Sequence, residues 1–194
     1  EGSFIPVRPG KHMWETNFVA DANNLELRSW AARGGKSSHI QLILADSILH
    51  AHISEMPVGT YKKAHRHGPG AHVIILGGEG YSLIWPDGAP IEKYPWREGS
   101  MVVPPENWWH QHFNAGASPA RYLAFKHEVA LIRNSQGVPT AWISRRIGGD
   151  QIDYADEKPE IRSMFKDALS KHGLAPRMED AYQKELPDLP PKAA

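Results

Sequence analysis

Three histidines lie within one short segment of the chain, HRHGPGAH, at residues 65–72. On a strand, His65 and His67 would point to the same face because side chains alternate with a period of two, and two imidazoles on one face can share a metal ion. The Gly-Pro-Gly loop that follows allows the chain to turn and return His72 to the same point. Imidazole suits Zn, Cu, Fe and Ni better than Ca or Mg. The segment therefore predicts a metal site built from histidine.

Two further His-x-His pairs occur on predicted strands. In WHQHFN, at residues 109–114, His110 and His112 share one face and Gln111 faces the other way. Either of these two histidines could supply a ligand. The upstream pair, His50 and His52, could form part of the wall of the site or lie closer to the metal.

Composition excludes several kinds of site and partner. The chain has 194 residues and no cysteine, which excludes disulfides, thiolate metal ligands and a thiol nucleophile. Its 22 Lys and Arg balance 22 Asp and Glu, so a nucleic-acid partner is disfavoured. No apolar run approaches the roughly 18 residues of a membrane span. We expect a cytoplasmic protein that acts on neither nucleic acid nor membrane.

Short apolar runs separated by turn residues indicate an all-β fold. Such runs recur about every 8–12 residues and predict a sandwich or barrel of short strands at residues 39–130. Residues 1–38 are expected to form an N-terminal extension packed on the barrel, and residues 131–194 a C-terminal extension. Within the latter, a helix is predicted at about 159–172, because Pro159 suits a first helical position and Gly173 suits the position just past the end.

The histidine segment resembles the first motif of the cupin superfamily. That motif reads Gly, five residues, His, one, His, three or four, Glu, and the chain has Gly59, His65, His67 and His72 at these positions. His72 stands where cupins usually have Glu. The Gly expected six residues beyond the Glu position is displaced by one residue in this sequence.

The second cupin motif follows in the expected order. It reads Gly, five residues, Pro, one, Gly, two, His, three, Asn, and is matched by Gly99, Pro105, Asn107, His110 and Asn114. The departure is Asn107 in place of Gly. Both residue types tolerate positive φ, so the turn should survive the exchange. The resemblance extends over roughly residues 40–130.

The resemblance implies a double-stranded β-helix, or jelly-roll, barrel with one divalent metal ion held by His65, His67, His72 and His110. A three-histidine site with an unligated His72 nearby is the alternative. Fe(II) is favoured over Mn, Ni, Cu and Zn. Four neutral ligands would leave the full dipositive charge on the metal, which favours an anionic substrate such as a phenolate, enolate or carboxylate.

Aromatic and cationic side chains near the motifs are candidates for substrate binding. Trp108, Phe113, Tyr122 and Arg121 are assigned to the substrate site, with core packing as the alternative for the aromatic residues. Further aromatic candidates for the lining are Trp85, Trp109 and Phe125. No residue is assigned a catalytic role, and no organic cofactor is expected.

The resemblance favours a mononuclear, Fe(II)-dependent dioxygenase acting on a small anionic, enolisable or phenolic substrate, with O₂ as the second substrate. A non-redox lyase, decarboxylase or isomerase on the same fold is one alternative, since fold does not decide chemistry. A small-molecule-binding cupin without turnover is another. A homodimer is expected, because cupins commonly pair through edge strands.

Overall fold

A computed structural model describes residues 3–8, 11–30, 33–45, 49–68, 70–127 and 140–185. Strands dominate these residues. The strands are β1 (Ser3–Arg8), β2 (Lys11–Thr16), β3 (Arg28–Ser29), β4 (Ser38–Leu44), β5 (Leu49–Met56), β6 (Ala64–His65), β7 (His72–Gly77), β8 (Glu79–Trp85), β9 (Glu92–Arg97), β10 (Met101–Val102), β11 (Trp109–Asn114), β12 (Ala120–His127) and β13 (Gln151–Ile152). The α-helices are α1 (Pro159–Ser170) and α2 (Glu179–Glu185).

The described strands form two sheets. The larger sheet has the order β1-β2-β4-β5-β12-β7-β10, with β3 added beside β4, and the smaller has the order β13-β6-β11-β8-β9. Neighbours along each sheet are often distant in sequence, as when β12 lies between β5 and β7. The all-β prediction is confirmed by these strands and sheets.

Strand β12 shows how the larger sheet separates its two faces. Tyr122, Ala124 and Lys126 are buried towards the interior between the sheets. Leu123 and Phe125 point to the opposite face, where they pack against the apolar cluster that the N-terminal segment covers. One strand therefore contributes both to the interior and to the outer layer.

The outer face of the smaller sheet is covered by α1. Ile161, Phe165 and Leu169 are buried along one side of the helix, as the spacing of the apolar residues predicts. The Phe165 ring lies 4.9 Å from that of Tyr61 and 5.6 Å from that of Phe113, centroid to centroid. The prediction of a C-terminal helix is confirmed, and its first residue is Pro159. None of the described helices is long and apolar enough to cross a membrane.

Candidate metal centre

Strands β6 and β11 are neighbours in the smaller sheet and bring three histidines together. His65 lies directly opposite His110 in the antiparallel ladder, and their ring centroids are 4.2 Å apart. His67 follows β6, and its ring lies 4.9 Å from that of His110 and 5.6 Å from that of His65. The spacing of the first motif and the pairing of the two strands thus converge on one point.

The three rings have the geometry of a metal ligand set. One ring nitrogen from each of His65, His67 and His110 lies within 4.8 Å of the other two. Nitrogens bound to one first-row ion at about 2.0–2.2 Å are separated by less than this distance, so small side-chain adjustments would suffice. Within the described part of the chain, no other group of three histidines or carboxylates meets this condition.

Backbone carbonyls orient all three imidazoles. The Nδ1–H of His110 donates to the Trp108 carbonyl at 3.0 Å, and that of His67 to the Gly68 carbonyl at 3.2 Å. His65 makes a longer bond of the same kind, 3.4 Å to the Lys63 carbonyl. Because a carbonyl can only accept, these bonds place the proton on Nδ1 and leave the Nε2 lone pair for a metal. Such partners fix the tautomer and ring orientation of metal-bound histidines.

Burial keeps the imidazoles neutral. It lowers the pKa of His110 to about 4 and, together with the nearby Arg33 and the other histidines, holds the pKa of His65 well below its usual value. The pKa of His67 is lowered by burial, then by repulsion from the protonated form of His110 and by the charge of Lys126. Neutral imidazole is the form that binds metal, so the site is ready for an ion at neutral pH.

His72 lies outside this group. It is an exposed residue at the start of β7, opposite Phe125 of β12. The next residue, Val73, is 4 % exposed and occupies the interior, so the alternation of the strand turns the His72 side chain to the outer face. The structure therefore brings together three of the four predicted ligands, which corresponds to the three-histidine alternative.

Of the predicted substrate residues, some lie on the interior side of the sheets and others point away from it. Tyr122 lines the cavity beside His65 and His67. Trp108 is partly buried against an apolar cluster that includes Tyr122. Phe113 points away from the histidines and stacks between Tyr61 and Tyr81 beneath α1.

Arg121 is also turned away from the cavity, because it alternates with Tyr122 along β12. Its guanidinium pairs with Glu55 at 2.9 Å and donates to backbone carbonyls of the N-terminal segment, including that of Ala22. Of the further aromatic candidates, Trp85 and Trp109 join the core beneath α1, and Phe125 packs against the cluster under the N-terminal segment.

The remaining histidine pairs lie on the interior faces of their strands. His112 is buried beside His110, and its Nδ1 lies 2.8 Å from the Ser82 hydroxyl. His50 lies 3.2 Å from the Gln41 amide, measured from Nδ1 to Nε2. His52 lines the cavity, and its ring is 5.0 Å from that of His39. These residues belong to the polar interior around the three-histidine group.

Three cations that the sequence did not single out line the same cavity: Arg33, Lys62 and Lys126. All three are buried, with exposed fractions of 5 %, 2 % and 8 %. The lining residues that the structure describes include no aspartate or glutamate. Lys126 could have been found from the sequence, because it lies four residues after Tyr122 on a predicted strand and so points to the same face. Arg33 lies in a segment without any motif, and no sequence signal points to it.

Burial makes the charged forms of Arg33 and Lys62 energetically unfavourable. Arg33 donates through one terminal nitrogen to the Ala141 carbonyl at 2.9 Å and to the Gln151 amide oxygen at 3.1 Å, both neutral acceptors. Burial lowers its pKa to about 10. Burial also lowers the pKa of Lys62, whose ammonium lies 2.9 Å from the Tyr122 hydroxyl. An anion in the cavity would offset these costs, since buried charges are otherwise paired.

The second-motif turn that precedes β11 has the predicted backbone. Asn107 adopts φ +61°, and Gly99 and Gly59 adopt φ +80° and φ +74°. The backbone N–H of Asn107 donates to the His67 carbonyl at 2.9 Å, which joins this turn to the loop that carries a candidate ligand. Asn in place of Gly therefore preserves the turn, as its tolerance of positive φ predicts.

Comparison with known proteins finds cupin domains among the similar structures and leaves the reaction open. No family model matches the chain. A gentisate 1,2-dioxygenase from Ralstonia sp. is 36 % identical over 66 residues, which are 34 % of this chain and 17 % of that protein. The match thus spans about a sixth of the length of that relative.

Similar solved structures include two cupin domain proteins and an oxalate decarboxylase. A cupin 2 conserved barrel domain protein from Rhodopseudomonas palustris is 20 % identical, covering 52 % of this chain and 69 % of its own, with a TM-score of 0.43. The Schizosaccharomyces pombe Cnp3 cupin domain is 14 % identical over 56 % and 73 %, with a TM-score of 0.45. A Bacillus subtilis oxalate decarboxylase is 12 % identical over 55 % and 29 %, with a TM-score of 0.47.

Proposed function

We propose that this cupin protein is a metal-dependent enzyme that binds one divalent ion through His65, His67 and His110 and acts on a small anionic substrate. The observation that carries the proposal is the cavity beside the three histidines. Buried cations line it, and its described lining includes no carboxylate. Such a cavity favours a ligand that brings negative charge.

The chain supplies position and charge. Arg33 and Lys62 attract the anionic group of the substrate, and Arg33 offers the planar donor geometry that matches a carboxylate. Trp30 and Trp142 lie edge to face in the same lining, with centroids 5.8 Å apart. A metal ion bound by three neutral imidazoles would supply Lewis acidity towards a substrate oxygen.

For the reaction we propose a dioxygenase with Fe(II) as the metal and a phenolic or enolisable acid as the substrate. The partial similarity to a gentisate 1,2-dioxygenase supports this choice. All-histidine coordination supports it as well, because it leaves the metal dipositive and so favours an ionised substrate oxygen. A non-redox reaction remains the second candidate and is separated from the first by dependence on O₂.

The metal assignment is tested by ligand substitution. Single variants His65→Ala, His67→Ala and His110→Ala, purified anaerobically, should each lose tightly bound metal in elemental analysis while circular dichroism shows an unchanged fold. His72→Ala is the matched control, because it also removes an imidazole from the first motif but one that faces outward. Loss of metal in the control, or its full retention in all three ligand variants, contradicts the three-histidine assignment.

The reaction class is tested with the metal-loaded wild-type protein. Oxygen uptake is measured against a series of hydroxybenzoic acids and β-diketones, with the His110→Ala variant as the blank. Uptake that requires both substrate and Fe(II) supports the dioxygenase. Substrate conversion that proceeds equally under nitrogen would instead assign the protein to the non-redox class.

A further inference from the structure

Lys62 and Tyr122 form a buried pair across the interior. Lys62 precedes β6 of the smaller sheet, Tyr122 lies on β12 of the larger sheet, and the Lys62 ammonium is 2.9 Å from the Tyr122 hydroxyl oxygen. Their exposed fractions are 2 % and 6 %, and both residues line the cavity that contains His65 and His67. The pair is therefore in reach of any ligand in this cavity.

The electrostatics of the empty cavity oppose a fully protonated pair. Arg33 and Lys126 already place two cations in the same lining, and the described lining includes no carboxylate. A buried, uncompensated ammonium is unfavourable, so loss of one proton from the pair lowers the cost. The neutral amine with the phenol and the ammonium with the phenolate are the two forms that lack this proton, and both have zero net charge.

The pKa directions agree with this geometry. Burial lowers the pKa of Lys62. Burial by itself would raise the pKa of Tyr122, but the charge and hydrogen bond of Lys62, a hydrogen bond from Ser54 and the charge of Arg33 lower it overall. Because the two groups are coupled, the proton belongs to the pair and not to either residue alone.

We propose that the Lys62–Tyr122 pair is the proton acceptor of this cavity: it lacks one proton when the cavity is empty and takes one up when a small anion binds beside it. For a substrate that arrives with its hydroxyl protonated, the substrate O–H bond breaks, an O–H bond forms on Tyr122, and the Lys62 ammonium remains as the counter-cation of the new anion. This inference rests on the proposed function, since it concerns the substrate of the same cavity.

Two imidazoles lie beside the ring of Tyr122. His52 of β5 and His112 of β11 contact its ring, with centroids 5.9 Å and 5.6 Å away. His112 shares its Nδ1 with Ser82, and burial, followed by the charges of His110 and Lys62, lowers its pKa well below the usual value. Its imidazole thus resists protonation.

Calorimetry with the metal-free protein tests the proposal. Benzoate, which is fully ionised at pH 7, is titrated into the protein in MOPS and in Tris, two buffers with different ionisation enthalpies. The difference in observed heat gives the protons exchanged with the buffer, and we expect uptake of about one proton per benzoate in the wild type. Lys62→Met and Tyr122→Phe should bind benzoate without this uptake.

A second lysine–tyrosine contact provides the matched control. Lys93 lies 3.9 Å from the ring centroid of Tyr81, and neither residue is part of this cavity lining. Lys93→Met and Tyr81→Phe should therefore retain the wild-type uptake. Benzoate binding without proton uptake in the wild type, or undiminished uptake in both Lys62→Met and Tyr122→Phe, would overturn the assignment of the pair.

Magnetic resonance decides the case in which benzoate does not bind. Nitrogen-15 labelling of lysine and carbon-13 labelling of the tyrosine Cζ report the protonation state of the pair at pH 7 without benzoate. The signals of the two residues are assigned from their absence in the spectra of Lys62→Met and Tyr122→Phe. A pair that lacks one proton supports the inference. An ammonium on Lys62 together with a neutral phenol on Tyr122 refutes it. Failure of benzoate to bind counts against the anionic substrate instead, so the two failures are distinguishable.

Discussion

Replacement of Arg33 by Met should separate the function of this residue from its contribution to stability. The guanidinium is buried and its described acceptors are the neutral oxygens of Ala141 and Gln151. The drop of its pKa to about 10 corresponds to roughly 3 kcal/mol of cost for burying the charged form. Removing the cation relieves this cost, whereas the two oxygens that lose their donor cost about 1–3 kcal/mol each.

These two effects oppose each other, so the free energy of unfolding of metal-free Arg33→Met should lie within about 2–3 kcal/mol of the wild-type value. The loss of affinity for an anion is not offset in this way. A hydrogen bond to a charged group contributes about 1.5–3 kcal/mol, so the dissociation constant for benzoate should rise about 10- to 150-fold. Arg33→Lys keeps the charge without the planar fork and should lose less affinity than Arg33→Met.

The measurements are urea denaturation and isothermal calorimetry on the same metal-free preparations. Unchanged benzoate affinity in Arg33→Met would show that this cation does not attract the ligand. A loss of stability well above 3 kcal/mol with affinity unaffected would make Arg33 a structural residue, and the charge argument for the substrate would then fail.

Three further outcomes are expected. The metal-free protein should lose stability as the pH falls from about 6.5 towards 4, because the unfolded chain then binds more protons than the folded one. The loss should be up to about 1.4 kcal/mol per pH unit for each histidine that burial keeps neutral. His110, with a pKa of about 4, sets the lower end of this range, and a free energy of unfolding that stays constant across it in urea titrations would contradict the burial argument. In thermal unfolding, Asn107→Gly should leave stability nearly unchanged, whereas Asn107→Ala should lower it by about 1 kcal/mol because alanine disfavours φ +61°. Equal losses in the two variants would contradict the explanation from the backbone conformation. Phe165→Ala should cost about 3–5 kcal/mol, because the ring of this α1 residue is fully buried against the smaller sheet, whereas exposed Lys166→Ala should cost little. Similar values for both variants would mean that α1 does not stabilise the smaller sheet.

Local patterns were sufficient to predict the elements and to single out the three histidines that the fold brings together. A period of two on short apolar runs predicts strands, and the caps and apolar stripe of residues 159–172 predict a helix that is found at Pro159–Ser170. The His-x-His spacing and the second motif identify His65, His67 and His110, since these depend on alternation within a strand and on a turn that Asn107 can adopt. Each of these features is decided by residues close in sequence.

Tertiary structure decided which side chains share the cavity. Val73 packs in the interior, and this packing turns its neighbour His72 outward, a choice of register that residue spacing alone does not determine. Phe113 and Arg121 were similarly directed away from the histidines by the layers that cover their strands. Arg33 reaches the cavity from a segment more than 30 residues before His65, so only folding brings its charge beside the candidate metal centre.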